Sequence, residues 1–259
     1  MPRRSPGGLA SRSEFVSLQT LERGIIMTAR TQRVLIWWSM AFLLVFALTF
    51  YFLIGMFPLP PATWSPEQIA AFYSENAQKI GLGAMILAWT SAFPVPMAVV
   101  IAVQMARLEK GPPVLAILQL AGGVMMSIFL VLPPIFWGAA AFNPGRPAEI
   151  TASIHEIASL ILVTTDQYFI FQNIAIFWIS MRLKNVADSP FPTWIGYLTL
   201  WAAFMFELGA IAFLPKTGPF AWNGLFGFWF PFCIFGVWFS VIAWSLLRAL
   251  KQQEANGES

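Results

Sequence analysis

Residues Val34–Phe57 read VLIWWSMAFLLVFALTFYFLIGMF, and no charged residue occurs from Val34 until Glu67. A helix needs about 20 such residues to cross the hydrocarbon core of a bilayer. The run therefore predicts a membrane span. It must be helical, because in lipid each backbone donor and acceptor has to be satisfied within the segment. Five further runs of this kind follow, at 80–105, 114–142, 154–181, 194–214 and 225–250. The expectation is an all-α membrane protein, with a six-span transmembrane domain over 27–250 and a tail over 251–259.

Composition points the same way. Of 259 residues, 58% are hydrophobic and only 10% are charged. Soluble domains carry about 25% charged residues, so most of this chain must face the lipid bilayer or other helices. The single Cys, Cys233, and the single His, His155, leave no disulfide framework and no multi-histidine metal centre. No metal site and no cofactor motif is read. The net charge of +3 does not point to nucleic acid, since the basic residues are spread through short loops rather than clustered.

Those basic residues instead predict orientation. With the N-terminus inside, twelve of the 15 Lys and Arg fall on the cytoplasmic side: four arginines before residue 27, then Arg30, Arg33, Arg107, Lys110, Arg182, Lys184, Arg248 and Lys251. Only Lys79, Arg146 and Lys216 fall outside. The alternation loop by loop supports an even number of spans, with both termini inside. Residues 1–26 are polar, basic and Ser-rich, without the apolar core of a signal peptide. They read either as a disordered cytoplasmic tail or as sequence upstream of a true start at Met27.

Ser65-Pro66-Glu67-Gln68 is a capping-box pattern, and Ile69, Phe72 and Tyr73 follow at helical spacing. This predicts a short amphipathic helix lying along the outer surface before the second span, either a brace or a lid. Prolines interrupt three spans: Pro94 and Pro96 in the second, Pro133 and Pro134 in the third, Pro231 in the sixth. Each should kink or unwind its helix. Such breaks either shape packing or, as in transporters, build a substrate site.

The fourth run is the most polar. At 100° per residue, His155, Ser159, Asp166, Asn173 and Ser180 lie on one side of a regular helix. A carboxyl near the centre of a span costs about 2.5–3.5 kcal/mol on insertion scales, so it should face the bundle or a wet cavity. Glu207 is the second intramembrane carboxyl. Gly196, Ala203 and Ala210 share its face of the fifth helix and would let a neighbour approach. Both carboxyls lie roughly 10–18 Å below the outer helix ends at 1.5 Å per residue, so they are expected to share a cavity in the outer half of the membrane. Asp166 and Glu207 are thus the candidate acid/base groups, and His155, Asn173 and Ser159 the candidate ligand-binding residues. The competing reading makes the carboxyls packing residues, hydrogen-bonded to Asn173, Gln172, Gln119 or tryptophans.

Three classes of function fit these features. One is a pocket, catalytic or not, for a lipophilic small molecule. A second is a small proton-coupled transporter, for which six spans is few unless the chain forms a homo-oligomer. The third is an accessory subunit whose polar face meets a membrane-complex partner. Two stretches, Ser65–Tyr73 (SPEQIAAFY) and Lys216–Gly224 (KTGPFAWNG), resemble the outer-loop sequences of a group of uncharacterised bacterial multi-pass membrane proteins. The resemblance covers about Met27 to Leu250. It implies a bacterial inner-membrane location and no particular activity.

Overall fold

The computed structural model describes residues 28–183, 186 and 188–257. The expected tail over 1–26 and the alternative start at Met27 lie outside the described residues. Every regular element described is helical, and six helical stretches are long and apolar enough to cross a membrane.

The first span is α1 (Ala29–Thr49), capped by Thr28 and continued by a π-helical turn over Phe50–Ile54. Gly55 ends it with φ +67°, the left-handed conformation that glycine adopts without a steric cost. The second comprises α2 (Pro66–Thr90) and α3 (Pro94–Leu108). The third comprises α4 (Val114–Met125) and α5 (Ser127–Phe142). The fourth is α6 (Ala148–Thr164), a 3-10 turn over Asp166–Tyr168, and α7 (Phe169–Arg182). The fifth is α8 (Thr193–Glu207) running into a 3-10 segment over Leu208–Phe213. The sixth opens with a π-helical turn over Leu225–Trp229 and continues as α9 (Phe230–Ala255), beyond the expected end at residue 250.

The capping box forms: the Ser65 side chain accepts from the Gln68 backbone N–H, and the Gln68 side chain accepts from the Ser65 N–H. It does not, however, start a separate surface helix. Pro66–Thr90 is one continuous helix of 25 residues. At 1.5 Å per residue it is about 38 Å long, more than the hydrocarbon core of about 30 Å. The amphipathic turns are therefore the projecting end of the second span. Nothing between Tyr73 and Ile80 breaks a helix, so the surface and buried parts run together.

The interruptions follow hydroxyl pairs as much as prolines. Thr90 and Ser91 donate to the Ile86 and Ala88 carbonyls just before the second span breaks. Thr164 and Thr165 donate to the Leu160 and Ile161 carbonyls, each at 2.7 Å, just before the fourth breaks. Hydroxyls bonded back to the preceding turn compete with the helix ladder and bend it. Pro94 then starts α3 at a position where the missing N–H costs nothing. Pro231 stands in the first turn of α9, directly after the π-helical turn of the sixth span. Pro133 and Pro134 stand inside α5, which runs through them; the third span is interrupted at Met126.

Consecutive spans pack side by side, and the sixth returns to the first. At one end the bundle is tied by a buried glutamine network. The Gln104 side-chain amide donates to Gln32 at 2.8 Å and to Gln253 at 3.2 Å, and Gln253 donates back at 2.9 Å. Ion pairs Arg33–Glu254 and Arg107–Asp188 lie at the same end. The first span is the most weakly embedded: 22% of its apolar window is buried, against 56% for the second.

Candidate binding cavity

The departures from regular winding meet around one space. Phe50 in the π turn of the first span, Phe93 at the break of the second, and Val163 and Asp166 at the break of the fourth all line a single cavity. Phe206 beside the end of α8 and Phe228 in the π turn of the sixth complete it. Its volume is about 320 Å³, within the range of small-molecule pockets, about 300–1,000 Å³. The wall is almost wholly apolar and rich in aromatic rings. Besides the indole N–H of Trp137, its polar side-chain groups belong to Asp166 and Ser240.

These two polar groups differ in exposure. Asp166 is buried, with 3% of its surface exposed. Ser240 is exposed on the sixth span, as is Phe232, and Leu44 faces outward from the first. These three also line the cavity, so its mouth lies between the first and sixth spans and faces the surroundings of the bundle sideways.

Asp166 has no ion pair among the described residues. Its Oδ1 accepts from the Gln167 side-chain amide at 3.2 Å. Across from it, the 3-10 segment of the fifth span comes in at Gly209. A Cβ built there would lie 2.3 Å from the Val163 carbonyl oxygen and 3.4 Å from Asp166 Oδ2. Only a glycine lets the two interrupted helices touch at this level.

No family model matches the chain, and no curated protein or solved structure does.

The other candidate residues stand apart from this wall. Glu207 is half-buried and opens on a separate groove on the outside of the bundle, with Ile174, Tyr197, Trp201 and Phe204. The expected shared cavity is therefore divided: Asp166 faces the centre and Glu207 the periphery. Glu207 keeps the helical phase that puts it on one face with Ala203; the physical reason is that this face meets Ile170 and Ile174 of the fourth span on the outside of the bundle rather than at its centre. Glu207 Oε1 is buried without a hydrogen-bond partner among the described residues.

His155 and Ser159 belong to a brace at the far end of the fourth span. Ring nitrogen Nδ1 of His155 is 3.0 Å from the Tyr73 hydroxyl, and Nε2 is 3.3 Å from Ser159 Oγ. The Trp222 ring meets the imidazole edge-on, and its Nε1–H donates to the Pro60 carbonyl at 2.7 Å. With both nitrogens engaged, the imidazole ties the projecting end of α2 to the fourth span, and Trp222 against its edge brings in the loops over 55–65 and 214–224. Asn173 lies beyond the break, on α7, and its amide atoms have no partner among the described residues; neither does the Gln119 amide. All five members of the polar line are buried. The break nonetheless divides them: His155 and Ser159 form the brace, Asp166 lines the cavity, and Asn173 and Ser180 lie on α7 beyond it.

Sequence reasoning missed the cavity's own residues: Phe50, Phe93, Phe206, Phe228 and Gly236. The available signal was the pair of adjacent hydroxyl residues, Thr90-Ser91 and Thr164-Thr165, which marks where the helices break. No group of three or more His, Cys, Asp or Glu able to hold a metal occurs among the described residues.

Proposed function

We propose that the protein binds a lipophilic small molecule, which enters sideways from the bilayer between the first and sixth spans. The observation that carries this reading is the form of the cavity: about 320 Å³, walled by aromatic and aliphatic side chains, with its mouth between two membrane spans. Burial in such a wall is favourable for an apolar molecule through contact with many carbon atoms. A cavity of this lining would hold few ordered waters, since a water needs two to four polar partners. Acid/base chemistry by two facing carboxyls is less well supported, because Glu207 opens elsewhere.

In this reading the chain lies in a bacterial inner membrane with both termini in the cytoplasm, as the charge count and the loop resemblance suggest. Periplasmic and cytoplasmic reporter fusions after Ala255 should then show activity only for the cytoplasmic reporter; the reverse pattern would overturn the orientation.

Binding is tested with the full-length protein in phosphatidylcholine nanodiscs, using a neutral long-chain alcohol with a photoactivatable group at mid-chain. Adducts should concentrate on Phe50, Phe228 and Phe235. Were labelling no greater there than at outward-facing positions such as Trp37, Leu48 or Phe52, the cavity would not be a binding site.

A further inference from the structure

The cavity has a buried carboxyl group in its wall and, among the described residues, no basic group lining it. Asp166 is 3% exposed, and its Oδ1 is contacted by a neutral amide, that of Gln167. No Lys, Arg or His lines the cavity. Arg33 and Arg107 pair with Glu254 and Asp188 at one end of the bundle. The His155 ring is held between Tyr73 and Ser159. A carboxylate held away from water is costly unless a positive group pairs with it. The remaining wall favours the same sign: the faces of aromatic rings attract cations, and the rings of Phe50, Phe93, Phe206 and Phe228 surround the space.

We infer that the occupant is a lipophilic amine, bound with its ammonium end against Asp166 and its apolar tail towards the mouth at Leu44 and Phe232. This rests on the binding reading above and narrows it to one ligand class. The order of groups along the cavity matches such an amphiphile. Charge complementarity is at the buried end, apolar wall lies between, and the exit leads to lipid tails. A fatty acid would place a second negative charge beside Asp166, and an alcohol would leave the carboxylate without a counter-charge.

The test compares photoactivatable dodecylamine, dodecanol and dodecanoic acid on the full-length protein in phosphatidylcholine nanodiscs. The amine should label Phe50, Phe228 and Phe235 at concentrations about tenfold lower than the alcohol, and the acid least of all. Asp166→Asn should bring the amine down to the level of the alcohol and leave alcohol labelling unchanged. The comparison on the unmodified protein stands alone should that variant fold poorly. Equal labelling by amine and alcohol, or stronger labelling by the acid, would overturn the amine assignment while leaving a lipophilic pocket. Labelling by none of the three above the level of outward-facing residues would overturn the pocket as well.

Discussion

Gly236→Leu is expected to abolish labelling of the cavity by the alkyl probes while the bundle remains folded. Gly236 lines the cavity from α9, and a Cβ at that position meets nothing within 4 Å. A leucine side chain there has open space to enter, and that space is the proposed binding volume. The fold should tolerate the change, since leucine is a better helix former than glycine by about 0.5–1 kcal/mol. Labelling of Phe228 and Phe235 should fall by about tenfold or more, the effect of losing the bound tail's contacts. The thermal unfolding midpoint should stay level or rise. Undiminished labelling in a well-folded Gly236→Leu protein would place the probe somewhere else.

Gly209→Ala should have the opposite profile and be the most damaging small substitution in the fifth span. The added Cβ would sit 2.3 Å from the Val163 carbonyl oxygen, a backbone atom that cannot rotate aside. Relief requires the fourth and fifth spans to separate at the level of Asp166. Overpacking of this kind costs about 1–3 kcal/mol, which should appear as a lowered unfolding midpoint and poorer accumulation in the membrane. Gly81→Ala on α2 is the matched control, because nothing lies within 4 Å of its added Cβ. Equal stability of the two variants would mean that the helices do not meet closely at Gly209.

The six spans were legible because each is a long apolar run, and their number depends on nothing finer. The third matches its expected range of 114–142, and the fifth lies within one residue of its own. The second starts at Pro66 rather than at residue 80, since hydropathy marks where a helix enters lipid and not where it begins. Asp166 stood out as a carboxyl in an apolar run, and it lines the cavity. The cavity's aromatic wall could not be read. Phe50 is buried against the interior while Phe52, two residues on, is 67% exposed. Both are phenylalanines in an apolar run, and only the packing of six helices distinguishes them. Glu207 shows a different limit. Its shared face with Ala203 follows regular helical phase and is found, but what that face meets is set by how the spans pack, which the phase does not carry.

The most direct test of a bilayer-accessible cavity is an experimental density map of the protein in lipid nanodiscs at side-chain resolution. Elongated density should run from Asp166 past Phe50 and Phe235 to the gap between Leu44 and Phe232, continuous with the surrounding lipid. A first span closed onto the sixth, with the Phe50, Phe228 and Phe235 rings filling the space and no density between them, would contradict it.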